Sequence, residues 1–183
     1  GIPMDDVTKR QRRDAKVINF GVLYGMSPHG LSAATGMNFV EAKKFIDHYF
    51  ELRAPIRAYI DATLEKAKTE GYVETYYGRR RPTPDVNSSN FMVREGAKRQ
   101  AANMPIQGTE ADLMKLAMIQ VEKKLEGLGE QILQVHDSIL VECPKENGEK
   151  IAEILRQTME SIAPELPIKL KVDVGIGEDW GEL

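Results

Sequence analysis

Arg12-Arg13-Asp14-Ala15-Lys16-Val17-Ile18-Asn19-Phe20-Gly21-Val22-Leu23-Tyr24-Gly25 is the stretch on which the reading of this chain turns. Thr8 is suited to cap a helix ahead of it, and Gly25 to stop that helix after Tyr24. Within it Arg12, Lys16, Phe20 and Tyr24 recur every four residues. Four residues advance about 400°, so these side chains form one slowly rotating ridge. The first half of the ridge is cationic and the second half aromatic. Two cations one turn apart can grip a triphosphate, and an aromatic pair beyond them can stack a sugar and base. A basic surface helix with Phe20 and Tyr24 packed into a core has the same spacing, and the ridge alone does not separate the two.

The charge pattern extends this reading. The chain of 183 residues has a net charge of −3, yet Thr8 to Gly30 carries +4, with Lys9, Arg10, Arg12, Arg13 and Lys16 against Asp14. Tyr77 to Gln100 also carries +4, and Glu110 to Leu183 is strongly acidic. Such a chain can hold a polyanion on one surface only, and solvated helix faces are the alternative. With 42% hydrophobic and 29% charged residues it is neither a disordered tail nor a collagen-like repeat. No apolar run approaches the roughly 20 residues of a membrane helix, so no membrane partner is expected. The single Cys143 excludes an intrachain disulfide framework and suits a reducing, cytoplasmic setting. Gly1-Ile2-Pro3-Met4 lacks an initiator Met and a signal region, which reads as a piece of a longer polypeptide.

Working outward from the ridge, Ser27-Pro28-His29-Gly30 reads as a turn. Phe39 to Leu52 has helical apolar spacing at Val40, Ala42, Phe45, Ile46, Tyr49 and Phe50. Pro55 fits the first turn of another helix that stops at Gly71. Tyr72 to Tyr77 is rich in strand formers, and Gly78 turns the chain into Arg79-Arg80-Arg81-Pro82, which predicts a hairpin. Ser88-Ser89-Asn90 caps a helix through Ala102, and Pro105 is expected to kink or interrupt it. Thr109 to Leu125 resumes the helix, with Leu113, Leu116, Ala117 and Ile119 on its apolar side. Gln131 to Val135 and Ile139 to Cys143 are two apolar runs around His136, Asp137 and Ser138, a strand–turn–strand pattern. A helix over about Asn147 to Ile162 follows, and the alternation in Ile168 to Gly175 marks a half-buried strand. The fold class is therefore α+β: a mostly helical part, then part of an antiparallel sheet with packed helices.

Two further constellations bear on chemistry. Arg99, Asn103 and Gln107 are again spaced by four. Asn and Gln offer both donor and acceptor and can meet minor-groove acceptors, but the same spacing suits an exposed polar face. Asp137, at the tip of an apolar hairpin, is suited to ligate Mg²⁺, and equally to serve as a turn former. Gly175-Ile176-Gly177 has no third glycine and opens no helix, so it is not a dinucleotide fingerprint.

These segments together resemble the DNA polymerases of family A, the bacterial DNA polymerase I type. The pattern of Arg12, Lys16, Phe20 and Tyr24-Gly25 with Asn19-Phe20-Gly21 inside is similar to the fingers helix of that family. Gly78-Arg79-Arg80-Arg81, Pro84-Asp85, Asn103 with Pro105 to Thr109, Gln134-Val135-His136-Asp137 and Gly177-Glu178-Asp179-Trp180 follow in the family's order. The resemblance covers essentially the whole chain.

The resemblance implies residues 1–105 as a fingers portion and 106–183 as the C-terminal part of a palm. It implies that Arg12 and Lys16 contact the triphosphate, with Lys16 also placed to protonate pyrophosphate, that Phe20 packs on the nucleotide, and that Tyr24 lines the templating position. Arg80, Arg99, Asn103 and Gln107 are implied DNA contacts, and His136 lies near the primer terminus. Asp137 is the implied Mg²⁺ ligand; Ser138 replaces the Glu usual after it. Two Mg²⁺ ions need carboxylates from a second motif, an aspartate ahead of Ile-Glu-Leu-Arg, which this chain lacks. The implied partners are primer–template DNA, deoxynucleoside triphosphates and an upstream polymerase segment, in a nucleoid-associated cytoplasmic enzyme. Three forms stay open: a fragment of a larger enzyme, a subunit of a split polymerase, or a non-catalytic nucleic-acid-binding remnant. Without the second carboxylate the isolated chain is expected to be inactive, and without upstream strands to self-associate through open sheet edges.

Overall fold

The computed structural model describes residues 2–183. The chain is α+β and divides into two compact units. One holds the chain up to Glu74 together with Arg80–Pro105; the other holds Thr75–Arg79 and Ile106–Leu183.

The first unit starts with helix α1, Lys9–Leu23, whose first turn is closed by a capping box between Thr8 and Gln11. Tyr24 ends the helix, and Gly25 follows at φ 84°. Helices α2 (Pro28–Thr35) and α3 (Phe39–Glu51) come next, each with a side-chain cap, Ser27 and Asn38. The expected turn at Ser27 to Gly30 is thus the start of a helix: Ser27 Oγ accepts from Gly30 N at 3.1 Å, and Pro28 takes the first-turn position where its missing amide costs nothing. Val22, Leu31, Ala42 and Tyr49 form a core among α1, α2 and α3. Tyr49 Oη donates to Asn19 Oδ1 at 2.7 Å and so satisfies its buried end.

Helix α4, Ala54–Glu70, carries Pro55 in its first turn and stops at Gly71, φ 77°, as its sequence predicts. Strands β1 (Tyr72–Glu74) and β2 (Arg80–Pro82) pair antiparallel, with Glu74 opposite Arg80. The first strand is half as long as the run Tyr72 to Tyr77, because Thr75 to Arg79 forms the connection, with Gly78 at φ 78°. A second core joins Ala67, Val73, Val86, Ala101 and Met104.

Helix α5, Phe91–Leu125, is continuous through Pro105. The expected interruption does not occur. Proline removes a single amide donor, and the helix is held on either side by buried residues, Met104 in one core and Val121 in another. The inward face after Pro105 is Met114, Ala117, Val121 and Leu125. Leu116 and Ile119, expected inside, are 38% and 53% exposed, since four-residue steps from Ala117 select a different stripe.

In the second unit β3 (Glu130–Val135) pairs antiparallel with β4 (Ser138–Glu142). Their register slips at a bulge between Gln131 and Leu133. Helix α6, Gly148–Glu160, lays Ile151 against Val121 and Leu125 to make this unit's core. The strand expected over Ile168 to Gly175 does not form. A strand needs a neighbouring strand for its backbone groups, and among the described residues none pairs with this stretch; Val172 N donates instead to Glu160 Oε1 at 3.1 Å. Its side chains still alternate: Leu170, Val172 and Val174 are half-buried, while Lys169, Lys171 and Asp173 are exposed.

Candidate functional site

The ridge on α1 stands in solvent. Arg12 and Lys16 are exposed, and Phe20 keeps 42% of its surface accessible, so its ring is not part of the core. The inward positions are Ile18 and Val22 instead. Lys16 Nζ sits 5.7 Å from the Phe20 ring centre, a cation–π contact. Phe20 and half-buried Tyr24 are stacked, with ring centres 6.0 Å apart and planes inclined by 29°. The acid within the cluster is used elsewhere: Asp14 faces Arg10 at 3.7 Å and Arg13 at 3.8 Å. Among the described residues no carboxylate pairs with Arg12 or Lys16. Two uncompensated cations one turn apart, followed by an open aromatic pair, can take an anionic group and a flat ring along one helix face.

Arg99 lies beside the end of this helix. A Cβ on Gly25 would come within 3.0 Å of Arg99 Cγ, and Gly25 already occupies the left-handed region. Only a glycine meets both demands without a shift. Sequence reasoning took Gly25 as a helix stop and missed that it seats Arg99, because 74 positions separate the two residues. Arg99 is exposed and Asn103 half-buried on α5 in this unit. Gln107, exposed, belongs to the other unit.

Arg80 is held by its own hairpin. Its guanidinium lies 4.3 Å from the Tyr72 ring centre, and Nε is 3.4 Å from Glu74 Oε2. Glu74 also takes the Lys66 ammonium, which pulls the Glu74 carboxyl below its ordinary value and raises Lys66.

In the second unit His136 and Asp137 are the two turn residues between β3 and β4, since Val135 pairs directly with Ser138. His136 adopts φ 52°. Gln134 Nε2 donates to its carbonyl at 2.5 Å, and Ser138 Oγ donates to Val135 O at 2.8 Å. Asp137 is exposed at the tip. Among the described residues no three His, Cys, Asp or Glu side chains gather to hold a metal ion. One carboxylate on a tight turn fits one ligand position of a hard cation and does not make a whole site.

The connection Thr75–Arg79, also in this unit, carries groups that sequence reasoning left unassigned. Arg79 Nε donates to Asp112 Oδ1 at 2.6 Å and Nη2 to Gly108 O at 2.9 Å. Burial works to raise the Asp112 carboxyl, but Thr75, the Arg79 guanidinium and Lys115 outweigh it and hold it below the ordinary value. Tyr77 is pushed up to about 12 by burial and by its hydrogen bond to Glu165, 2.8 Å away. No helix is long and apolar enough to cross a membrane among the described residues.

These features define an α+β chain with a basic and aromatic helix on one unit and a carboxylate-bearing β-turn on the other. Residues 1–182 match the sequence profile of DNA polymerase family A, and the chain belongs to that family. It is 50% identical to the thermostable DNA polymerase I of Thermus aquaticus over 98% of this chain and 22% of that protein. It is 48% identical to DNA polymerase I of Deinococcus radiodurans over 98% of this chain and 19% of that protein. The chain thus spans about a fifth of the length of these curated relatives. Among solved structures it is similar to the POL domain of Pol1 from M. smegmatis in complex with DNA primer-template and dNTP. The TM-score is 0.91 at 38% identity, covering 98% of this chain and 32% of that one.

Gly25 and Gly36 together provide a measurement of the Arg99 seat. Both have positive φ, but a Cβ on Gly36 meets nothing within 4 Å. Gly36→Ala is expected to cost only the backbone strain, about 1–2 kcal/mol. Gly25→Ala carries the displacement of Arg99 in addition, read as a larger fall in the urea midpoint; equal losses would contradict the close approach.

Proposed function

We propose that this chain supplies the fingers portion, residues 1–105, and the C-terminal part of the palm, residues 106–183, of a DNA-directed DNA polymerase. The reaction is template-directed transfer of a deoxynucleotide to a primer 3′-OH, carried out by the complete enzyme in the cytoplasm on nucleoid DNA. The observation that carries the reading is the open ridge Arg12–Lys16–Phe20–Tyr24, whose cations no acid among the described residues pairs with. Membership of family A and the likeness to a polymerase domain described with primer-template and dNTP support it.

In this reading Arg12 and Lys16 bind the triphosphate, and Lys16 is placed to give a proton to the departing pyrophosphate. Phe20 stacks on the incoming nucleotide and Tyr24 borders the templating base. Arg80, Arg99, Asn103 and Gln107 contact primer–template DNA, and His136 adjoins the primer terminus. Asp137 is one ligand of Mg²⁺, whose bound ions neutralise charge on the transferring phosphoryl group. The upstream polymerase segment brings the other carboxylate and a strand beside residues 168–175, the stretch that alternates with no partner strand among the described residues. Without that segment the same backbone edge pairs with a second copy of the chain.

Two measurements check this. In the complete enzyme Lys16→Ala is expected to lower kcat/KM by about 10²-fold or more, the usual loss when a charge-stabilising donor is removed. Lys9→Ala, a turn before the ridge, is expected to change it little; equal losses would remove the ridge from the mechanism. Sedimentation of the isolated chain is expected to show dimers or larger species at micromolar concentration, and a clean monomer would contradict the open edge.

A further inference from the structure

We infer that Arg79 and Asp112 are positioning residues for Gln107, acting through a clamp between the Thr75–Arg79 connection and the turn of α5 that follows Pro105. The inference rests on the reading of Gln107 as a primer–template contact and adds to it the pair that fixes its place.

The need for a clamp arises from the sequence of α5. Pro105 has no amide to donate, so the helical ladder is one bond short just before Gln107. Gln107 itself is exposed. Support comes from the side. Arg79 Nη2 donates to Gly108 O at 2.9 Å, and Arg79 Nε donates to Asp112 Oδ1 at 2.6 Å. The rigid guanidinium fork therefore joins two groups one helical turn apart. Tyr76 N donates to Thr109 Oγ1 at 2.8 Å, one residue beyond Gly108. Three bonds thus tie the connection to residues 108, 109 and 112, and Gln107 is the next residue toward the proline.

The connection is itself stiff. Arg79 N donates to Thr75 Oγ1 at 3.1 Å, Thr75 N to Arg79 O at 3.0 Å, and Gly78 N to Thr75 O at 3.0 Å. The Asp112 side chain is only 13% exposed, against 49% for Arg79, so the acid end of the ion pair is shielded from solvent. A surface ion pair between long flexible side chains would set nothing in place. A short acid near the interior, bonded to a planar fork that also holds a backbone carbonyl, restricts rotation of the turn.

The test is a mutant cycle in the complete polymerase, read as Kd for primer–template DNA and KM for deoxynucleoside triphosphate. Asp112→Asn and Arg79→Lys are each expected to weaken primer–template binding by about tenfold, within the range that coupled neighbours show. Lysine keeps the charge but lacks the planar fork that spans the two acceptors, so it should not rescue. The KM for deoxynucleoside triphosphate should stay unchanged. In a Gln107→Ala background the same substitutions should have no further effect. Additive losses in that background, or wild-type binding by both single variants, would overturn the inference alone. If Gln107→Ala by itself leaves binding unchanged, the reading of Gln107 falls and this inference with it. Should Arg79→Lys or Asp112→Asn fail to fold, Thr109→Val removes the acceptor of Tyr76 N and the same comparison applies.

Discussion

Two side chains hold the β3–β4 turn in a backbone shape that its residues resist. His136 lies at φ 52°, where a side chain with a Cβ is strained by about 1–2 kcal/mol. Gln134 bonds its carbonyl, and Ser138 bonds Val135 across the end of the ladder. With Val135 opposite Ser138, exactly two residues are left to reverse the chain, and Asp137 is one of them. The turn therefore offers a single exposed carboxylate on a short rigid support. In the proposed function that acid is one ligand of a cation, and among the described residues no group of three His, Cys, Asp or Glu side chains gathers around it.

Helix α1 shows a comparable tension. Lys9, Arg10 and Arg12 crowd its N-terminal end, where the helix dipole disfavours positive charge, and no acid stands in its first turn. The capping box of Thr8 and Gln11 offsets part of that cost. A helix shaped for stability alone would carry the opposite charges there. Local rules broken in this way tend to mark surfaces kept for function, and here the break coincides with an exposed phenyl ring and two cations that no carboxylate among the described residues pairs.

Much of the fold was legible because its signals are local. Thr8, Asn90 and Gly71 mark helix ends, Pro55 a helix start, and His136-Asp137 a hairpin tip. The start of α2 was hidden, since Ser-Pro-His-Gly has the composition of a turn and the helix behind it runs for only eight residues. Pro105 does not interrupt α5, because tertiary packing on both sides outweighs one absent donor. Residues 168–175 show that alternation reports a half-buried face and not a paired backbone. The contacts that organise the candidate site were beyond local reading. Arg79 meets Asp112 across 33 positions, and Gly25 meets Arg99 across 74, with no periodicity linking either pair.

In the proposed function this chain holds one part of a shared catalytic centre, with Asp137 as its carboxylate. Single-nucleotide incorporation, followed for the purified chain alone and after adding the upstream polymerase segment, tests that claim most directly. The expected result is no incorporation by the chain alone, recovery on mixing, and loss of the recovered activity in Asp137→Ala. Template-dependent incorporation by the homogeneous chain alone, or full recovery with Asp137→Ala, would contradict it.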